Sequence, residues 1–332
     1  MKKIMKITIS IAIMVSMLAG CAMAPKAENT TAEDGSTLQV AETEGQDKNT
    51  ESDFKSAWPR TYVDGLGKEV VIEKEPQRIV VLHFGYTEYL LALDVVPVGV
   101  ASLSITQQFK TLNQYEELSN ITDVGETVTP NLEKILELQP DLIIAGVGIH
   151  DDMRESLEKI APVVFKKNYG QWDETLQDYA QILGREEKAE QYIESTKEII
   201  AQTRRELEKY SDKTFVFLRP ASKSEFGIVG SKVYSHYHDS QNGFGMNVPE
   251  SYPESWIEIS LEALTEMNPD YIFLQDKEEL CRQKVAEMES SSVWNSITAV
   301  KEGNIGYLDI SLNTGSPLAI RLASEQILEH LK

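Results

Sequence analysis

Histidine, tyrosine and arginine gather at three places in this 332-residue sequence, each beside an apolar run that reads as a strand. His83 and Tyr86 follow "RIVVL" (78–82), and Arg219 follows "TFVFL" (214–218). Tyr234, His236, Tyr237 and His238 lie within "VYSHYHD" (233–239). Open α/β sheets take ligands at the carboxyl ends of their strands. There Arg219 offers a permanent charge on a planar fork suited to an anionic group, while the Tyr and His rings offer flat faces and hydrogen-bond donors. On an extended segment His236 and His238 would share a face and could hold a metal directly. No Cys or carboxylate set of recognised spacing accompanies them, and Asp239 would point the other way. Ligand contact is therefore preferred and no metal site is assigned. Plainer roles compete: His83 as the cap of the next helix, Arg219 as a surface loop residue, Trp172 and Trp256 as packing residues.

The signatures of catalysis are missing. No GxGxxG follows a strand, and neither a Walker-type GxxxxGK[ST] nor a GxSxG elbow occurs. Two cysteines in the whole chain leave little room for thiol chemistry or a cysteine-held cluster. A two-lobed α/β enzyme remains the remote alternative to a binding protein. The net charge of −21 argues against nucleic acid, which needs clustered Lys and Arg.

Strands and helices alternate to position these residues. "RIVVL", "VPVGVA" (96–101), "LIIAG" (142–146) and "VVF" (163–165) read as strands, with helices predicted at "TEYLLALD" (87–94) and "MRESLEKIA" (153–161). Alternation of this kind indicates βαβ units and a parallel sheet. Residues 173–210 hold a helix ending near Gly184 and then a long amphipathic helix of about 24 residues, roughly 36 Å at 1.5 Å per residue. The alternation resumes with "TFVFL", "FGIV" (226–229) and "IGYL" (305–308). A last helix starts at Ser316-Pro317, a cap residue followed by proline at the first helical position. The predicted fold class is α/β: two Rossmann-like lobes with mostly parallel sheets, joined by a single long helix. Its divisions are an N-terminal lobe at 58–172, connecting helices at 173–210 and a C-terminal lobe at 211–332.

One sentence of this sequence is written twice. "NLEKILELQPDLIIAG" (131–146) and "SLEALTEMNPDYIFLQ" (260–275) align without a gap at an offset of 129. Each copy opens on a cap-type residue, runs as a short helix, stops at Pro-Asp and turns into an apolar strand. Any αβ unit could look so, but five matched apolar, Pro and Asp positions favour duplication of a half-molecule. The third residue of each copy is glutamate, Glu133 and Glu262, where the helix macrodipole favours a carboxylate by a few tenths of a kcal/mol.

The N-terminus reads as an export signal: residues 1–20 carry three lysines and an apolar run too short for a comfortable membrane span. Leu18-Ala19-Gly20-Cys21 resembles the bacterial lipobox, in which the cysteine is lipidated. Cys281 would then have no partner for an internal disulfide. Loss of Lys2, Lys3 and Lys6 would take the charge from −21 to −24. Residues 21–57, acidic and without apolar periodicity, read as a lipid-anchored disordered tether.

These features resemble one family in combination: the lipobox, "KEPQRIVVL" (74–82), "NLEKILELQPDLIIAG", the long central helix and "EISLEALTEMNPDYIFL" (258–274). They resemble the substrate-binding lipoproteins of ABC importers for iron-siderophores, haem and cobalamin, from about Tyr62 to the C-terminus. The resemblance implies a monomeric, non-enzymatic receptor, exported and lipid-anchored through Cys21 at the outer face of the cytoplasmic membrane. It implies a shallow cleft between two lobes linked by a rigid helix, no cofactor, and docking of Glu133 and Glu262 on arginines of a membrane permease. The expected ligand is a ferric siderophore or ferric citrate-type chelate. Haem, cobalamin and a bare divalent metal are the alternatives, and the His- and Tyr-rich loop keeps haem and bare metal open. His83, Tyr86, Arg219, Tyr234, His236, Tyr237 and His238 are the candidate ligand contacts.

Overall fold

Apolar runs that would alternate in a half-exposed sheet are continuous here, because the strands are covered on both faces. The computed structural model describes residues 58–167, 170–221 and 226–332. The export signal, Cys21 and the acidic tether lie outside the described residues.

An antiparallel hairpin of β1 (Arg60–Val63) and β2 (Glu69–Ile72) leads in. There follow β3 (Ile79–Val81), α1 (Thr87–Ala92), β4 (Gly99–Val100), α2 (Leu103–Thr106), β5 (Thr122–Asp123), and a small hairpin of β6 (Gly125–Glu126) and β7 (Thr129–Pro130). Then come α3 (Leu132–Glu137), β8 (Leu142–Gly146), α4 (Arg154–Leu157) and β9 (Val163–Lys166). The first sheet has the order β5-β4-β3-β8-β9 and every pairing is parallel.

Two helices connect the lobes, α5 (Trp172–Leu183) and α6 (Glu186–Leu207). Gly184 separates them at φ 70°, the left-handed cap geometry glycine adopts without strain. The 22 residues of α6 span about 33 Å. The second lobe contains β10 (Phe215–Pro220), β11 (Phe226–Ile228), α7 (Ser235–His238), β12 (Ile257–Ile259), α8 (Leu261–Met267), β13 (Tyr271–Gln275), α9 (Glu278–Met288), α10 (Thr298–Glu302), β14 (Ile305–Leu308) and α11 (Pro317–His330). Its sheet order is β12-β11-β10-β13-β14; β10, β13 and β14 run parallel, while β11 and β12 pair antiparallel. The fold is thus α/β with mostly parallel sheets, as the alternation indicates.

One reading changes: the stretch 233–239 is not extended, since Ser235–His238 form the single turn α7. The helix α11 returns to pack along α6 and against α1. A central core therefore runs under both sheets, joining Leu90 and Ile144 of the first lobe with Ile193 and Ile200 of α6, Phe215, Phe217 and Phe273 of the second lobe, and Ile320 and Ile327 of α11. Each lobe keeps a separate outer core, around Ile135 and Phe165 in one and around Leu264 and Trp294 in the other.

The duplicated sentence folds the same way twice. Asn131 accepts hydrogen bonds from the N–H groups of Glu133 and Lys134, and Ser260 accepts one from that of Ala263. Ile135 and Leu264, 129 apart, are both fully buried. Gln139 and Asn268, again 129 apart, both take positive φ (46° and 41°) just before the prolines. The aspartates then do one job: Asp141 accepts from the N–H of Arg78 at 2.8 Å and Asp270 from that of Thr214 at 2.8 Å, each the residue entering the neighbouring parallel strand. Proline stops the helix and the carboxylate fixes the next strand's register.

Asparagine tolerates the left-handed region better than glutamine. Gln139→Gly should therefore raise stability by about 1 kcal/mol in urea unfolding; an unchanged or lowered value would show that Gln139 carries no backbone strain.

Candidate functional site

The carboxyl ends of β3 in the first sheet and of β13 and β14 in the second meet at one loop, residues 309–316. Beyond β3, the His83 Nδ1 accepts from the N–H of Gly85 at 3.2 Å, so the ring caps the short turn Phe84–Tyr86. It stacks on Phe84 and lies 4.9 Å from the Tyr86 ring. A side-chain carbon at Gly85 would stand 3.9 Å from the Thr314 methyl, which puts this turn against the loop. The backbone N–H of Lys110 reaches across to Asp309 at 3.1 Å.

From the second lobe, Gln275 at the end of β13 is fully buried and works in two directions. Its Oε1 accepts from the Tyr237 hydroxyl at 2.8 Å, and its Nε2 donates to Asn313 Oδ1 at 3.0 Å. The Tyr234 hydroxyl donates to the Asn313 carbonyl, and its ring lies against Gly315, which takes φ +61°. The amide Nδ2 of Asn313 is buried without a partner. Beside Gln275, Asp276 Oδ2 receives the Arg219 guanidinium at 2.9 Å. That guanidinium sits 5.8 Å from the centre of the Trp256 ring, which is 43% exposed. Trp256 can lie there because Gly227 has no side chain: a Cβ at 227 would come within 2.1 Å of the indole.

The structure sorts the candidate contacts. His83 and Tyr234 flank the 309–316 loop from opposite lobes, and Arg219 is half-exposed beyond Gln275. Tyr86 is buried, its hydroxyl donating to the Lys166 carbonyl at 3.3 Å. Tyr237 is fully buried and stacks on Phe217 at 4.2 Å, so it supports the floor from beneath. His236 and His238 do not share a face, because residues two apart on a helix are turned about 200° from each other. His236 is buried against Tyr237 and Phe244, whereas His238 Nδ1 donates to the Met246 carbonyl at 3.2 Å. Among the described residues no group of three His, Cys, Asp or Glu side chains is placed to hold a metal ion.

Sequence reading passes over Phe84 and Asp276 and takes Trp256 for a packing residue. Gly227 is the available signal, since a glycine inside a strand marks the close approach of another group. His150 is also unforeseen: Gly146 N–H donates to its Nδ1 at 2.9 Å and its Nε2 donates to the Thr127 carbonyl at 2.6 Å, pinning the β8 loop to the β6–β7 hairpin. Two surface hollows, about 500 Å³ along α5 and α6 and about 130 Å³ near Tyr210, share no lining residue with these strand ends.

Comparison with known proteins fits this geometry. The model of the family described as periplasmic binding protein matches residues 79–312. The chain belongs to that family. The Fe(3+)-citrate-binding protein YfmC of Bacillus subtilis is 30% identical over 264 residues, covering 78% of this chain and 81% of the relative. The iron(3+)-hydroxamate-binding protein FhuD of Bacillus subtilis is 29% identical over 296 residues, covering 86% and 90%. Staphylococcus aureus SirA, solved with staphyloferrin B, shares the fold at a TM-score of 0.67 and 23% identity, covering 82% of this chain and 98% of its own. The family consists of substrate-binding proteins.

The imidazoles of this binding protein are neutral at ordinary pH. Burial, with a smaller effect of His150, pulls His83 down to about 4. Burial also pulls His236 to about 3 and His238 to about 4. Among the candidate contacts only Arg219 then carries a positive charge. Because these folded pKa values lie below the ordinary 6.5, the stability they contribute is present above pH 6.5 and lost as pH falls toward 4. Imidazole NMR should accordingly show His83, His236 and His238 uncharged at pH 5.5, with unfolding free energy declining below pH 6.5; a charged imidazole among them at pH 6 would contradict the packing described.

Proposed function

We propose that this chain is the extracytoplasmic receptor of an ABC importer, taking a ferric chelate of the citrate or siderophore class at the converging strand ends and delivering it to a membrane permease. One observation carries the ligand class: a guanidinium and a half-exposed indole lie side by side on the second lobe, and neutral rings follow β3 on the first. An anionic chelate is met by Arg219, and its apolar or planar parts by Trp256, Phe84 and Tyr234. Relatives named for ferric citrate and ferric hydroxamate support the same class.

Delivery rests on Glu133 and Glu262. Both are exposed, both stand at the second residue of a capped short helix, and they occupy equivalent positions in the two lobes. Glu262 is held below the usual carboxylate range by its own backbone N–H and the Ser260 hydroxyl, so it stays ionised. In this reading the pair meets arginines of a permease with matching pseudo-symmetry. Anchoring through lipid on Cys21 keeps the receptor beside that permease. Among the described residues no helix is long and apolar enough to cross a membrane.

Titration with ferric citrate and ferric hydroxamates should change tryptophan fluorescence, and Trp256→Phe should remove most of that change. Arg219→Ala should weaken binding roughly 10- to 100-fold, the loss of a charge-assisted contact worth about 1.5–3 kcal/mol. A response to haemin or cobalamin alone would overturn the ferric-chelate assignment.

Reversing Glu133 and Glu262 together to lysine should leave chelate affinity unchanged and abolish uptake by cells; retained uptake would return both to the role of helix-end charges. Cys21→Ser should release the protein into the medium, and retention at the membrane would refute the lipid anchor.

A further inference from the structure

Glu88, the second residue of α1, is a fully buried carboxyl group at the meeting of the two lobes. Neither of its oxygens has a hydrogen-bond partner of regular geometry. Three hydroxyls face it: Thr111 from the first lobe, and Thr314 and Ser316 from the loop that leads into α11. One has spent its proton: Thr314 Oγ1 donates to the Ser311 carbonyl at 2.9 Å, whereas Ser316 Oγ accepts from the Ala319 N–H at 3.0 Å and keeps its own proton to donate. The Thr111 hydroxyl is buried without a regular partner. A carboxylate here would be a buried charge, whereas the neutral acid carries none and can both donate to and accept from these hydroxyls.

Among the described residues no cation pairs with the group to hold it ionised. Asp309 faces it from the same loop, and Tyr89, Tyr115 and Tyr192 lie within its electrostatic reach from α1, the 115–120 segment and α6. Asp94 and Arg321 act on the same tyrosines. Arg321 of α11 is committed elsewhere: its Nε donates to Thr196 Oγ1 at 2.9 Å, its Nη2 donates to the Tyr192 carbonyl at 3.2 Å, and the guanidinium lies over the Tyr192 ring.

We propose that Glu88 stands in the folded protein as the neutral acid and in that form latches α1 to the 309–316 loop, holding the two lobes together beneath the cleft. Ionisation loosens this seam. Glu88 is a positioning residue: it contacts no ligand, but the His83–Tyr86 turn runs directly into its helix. The inference stands on the buried group and its neighbours and does not depend on which chelate is bound.

The direction of the pH effect follows. Burial, with Asp309 adding to it and the three hydroxyls opposing, pushes Glu88 up from 4.5 to about 7. A folded pKa raised above the unfolded value gives stability that is fully present below about pH 4.5 and lost as pH rises through 7. This is opposite in sign to the histidines, so the two must be separated by a variant.

The test compares the full chain with Glu88→Gln, which keeps the shape and hydrogen-bonding capacity of the neutral acid and cannot ionise. The ratio of their folding equilibrium constants, read by urea unfolding at intervals from pH 4.5 to 8.5, should shift toward the variant up to about pH 7 and level off above it. With the group moved from 4.5 to about 7, the full change corresponds to roughly 300-fold. Parallel profiles would overturn the proposal, as would a variant less stable by a constant amount at every pH. Carboxyl carbon NMR of the unmutated chain gives a second reading should the variant fail to fold: the Glu88 resonance should titrate near 7, and titration near 4.5 would equally overturn it.

Discussion

Both sheets are built against one apolar core. Phe215, Phe217 and Phe273 of the second lobe and Leu90 and Ile144 of the first belong to the same cluster as Ile193, Ile200, Ile320 and Ile327 of α6 and α11. An aromatic side chain buries 150–250 Å² and so contributes roughly 4–6 kcal/mol at about 25 cal/mol per Å². Interiors are close-packed, so parting the lobes would open this core along its length. The constraint explains why the cleft floor can be built from exact partners such as Gln275, Tyr237 and Asn313: the two halves are held in register before any ligand arrives. A receptor of this design is expected to close by small adjustments at the cleft rim.

Duplication supplies the frame and divergence supplies the chemistry. Asp141 and Asp270 fix strand entry in the same way, and Gln139 and Asn268 share a backbone conformation that only Asn favours. The lobes part company at β11 and β12, the antiparallel strands that replace parallel ones in the second sheet. That replacement carries Gly227 and Trp256, and it places the indole beside Arg219. In the proposed function the repeated parts are handles for a two-sided partner, and the unrepeated parts face the cargo.

Much of this frame was legible in residue order because it rests on local rules. Runs such as "RIVVL" and "LIIAG" are continuous where strands are buried on both faces, and β14 occupies the four residues of "IGYL". Gly184 and Ser316-Pro317 end and begin helices for the expected stereochemical reasons. What escaped depends on tertiary packing. "VYSHYHD" has the rings and branching of a strand, but stacking of Tyr237 on Phe217 turns it into α7 and separates its two histidines. Trp256 gave no periodic signal, and its exposure follows from a glycine on another strand. Glu88 looks like an ordinary acidic residue of a first helical turn; only the arrival of residues 309–316 from the far end of the chain buries it. The placement of the seven candidate contacts therefore came from the fold, and the repeat with its two glutamates came from the sequence.

Amide hydrogen exchange of the full chain with and without saturating ferric citrate tests the central claim most directly. Exchange should slow at residues 83–86, 219 and 309–316 together, drawn from both lobes, with α3 and α8 unchanged and still open to a permease. Protection confined to one lobe, or centred on α3 and α8, would contradict a ligand held where the strand ends of the two sheets converge.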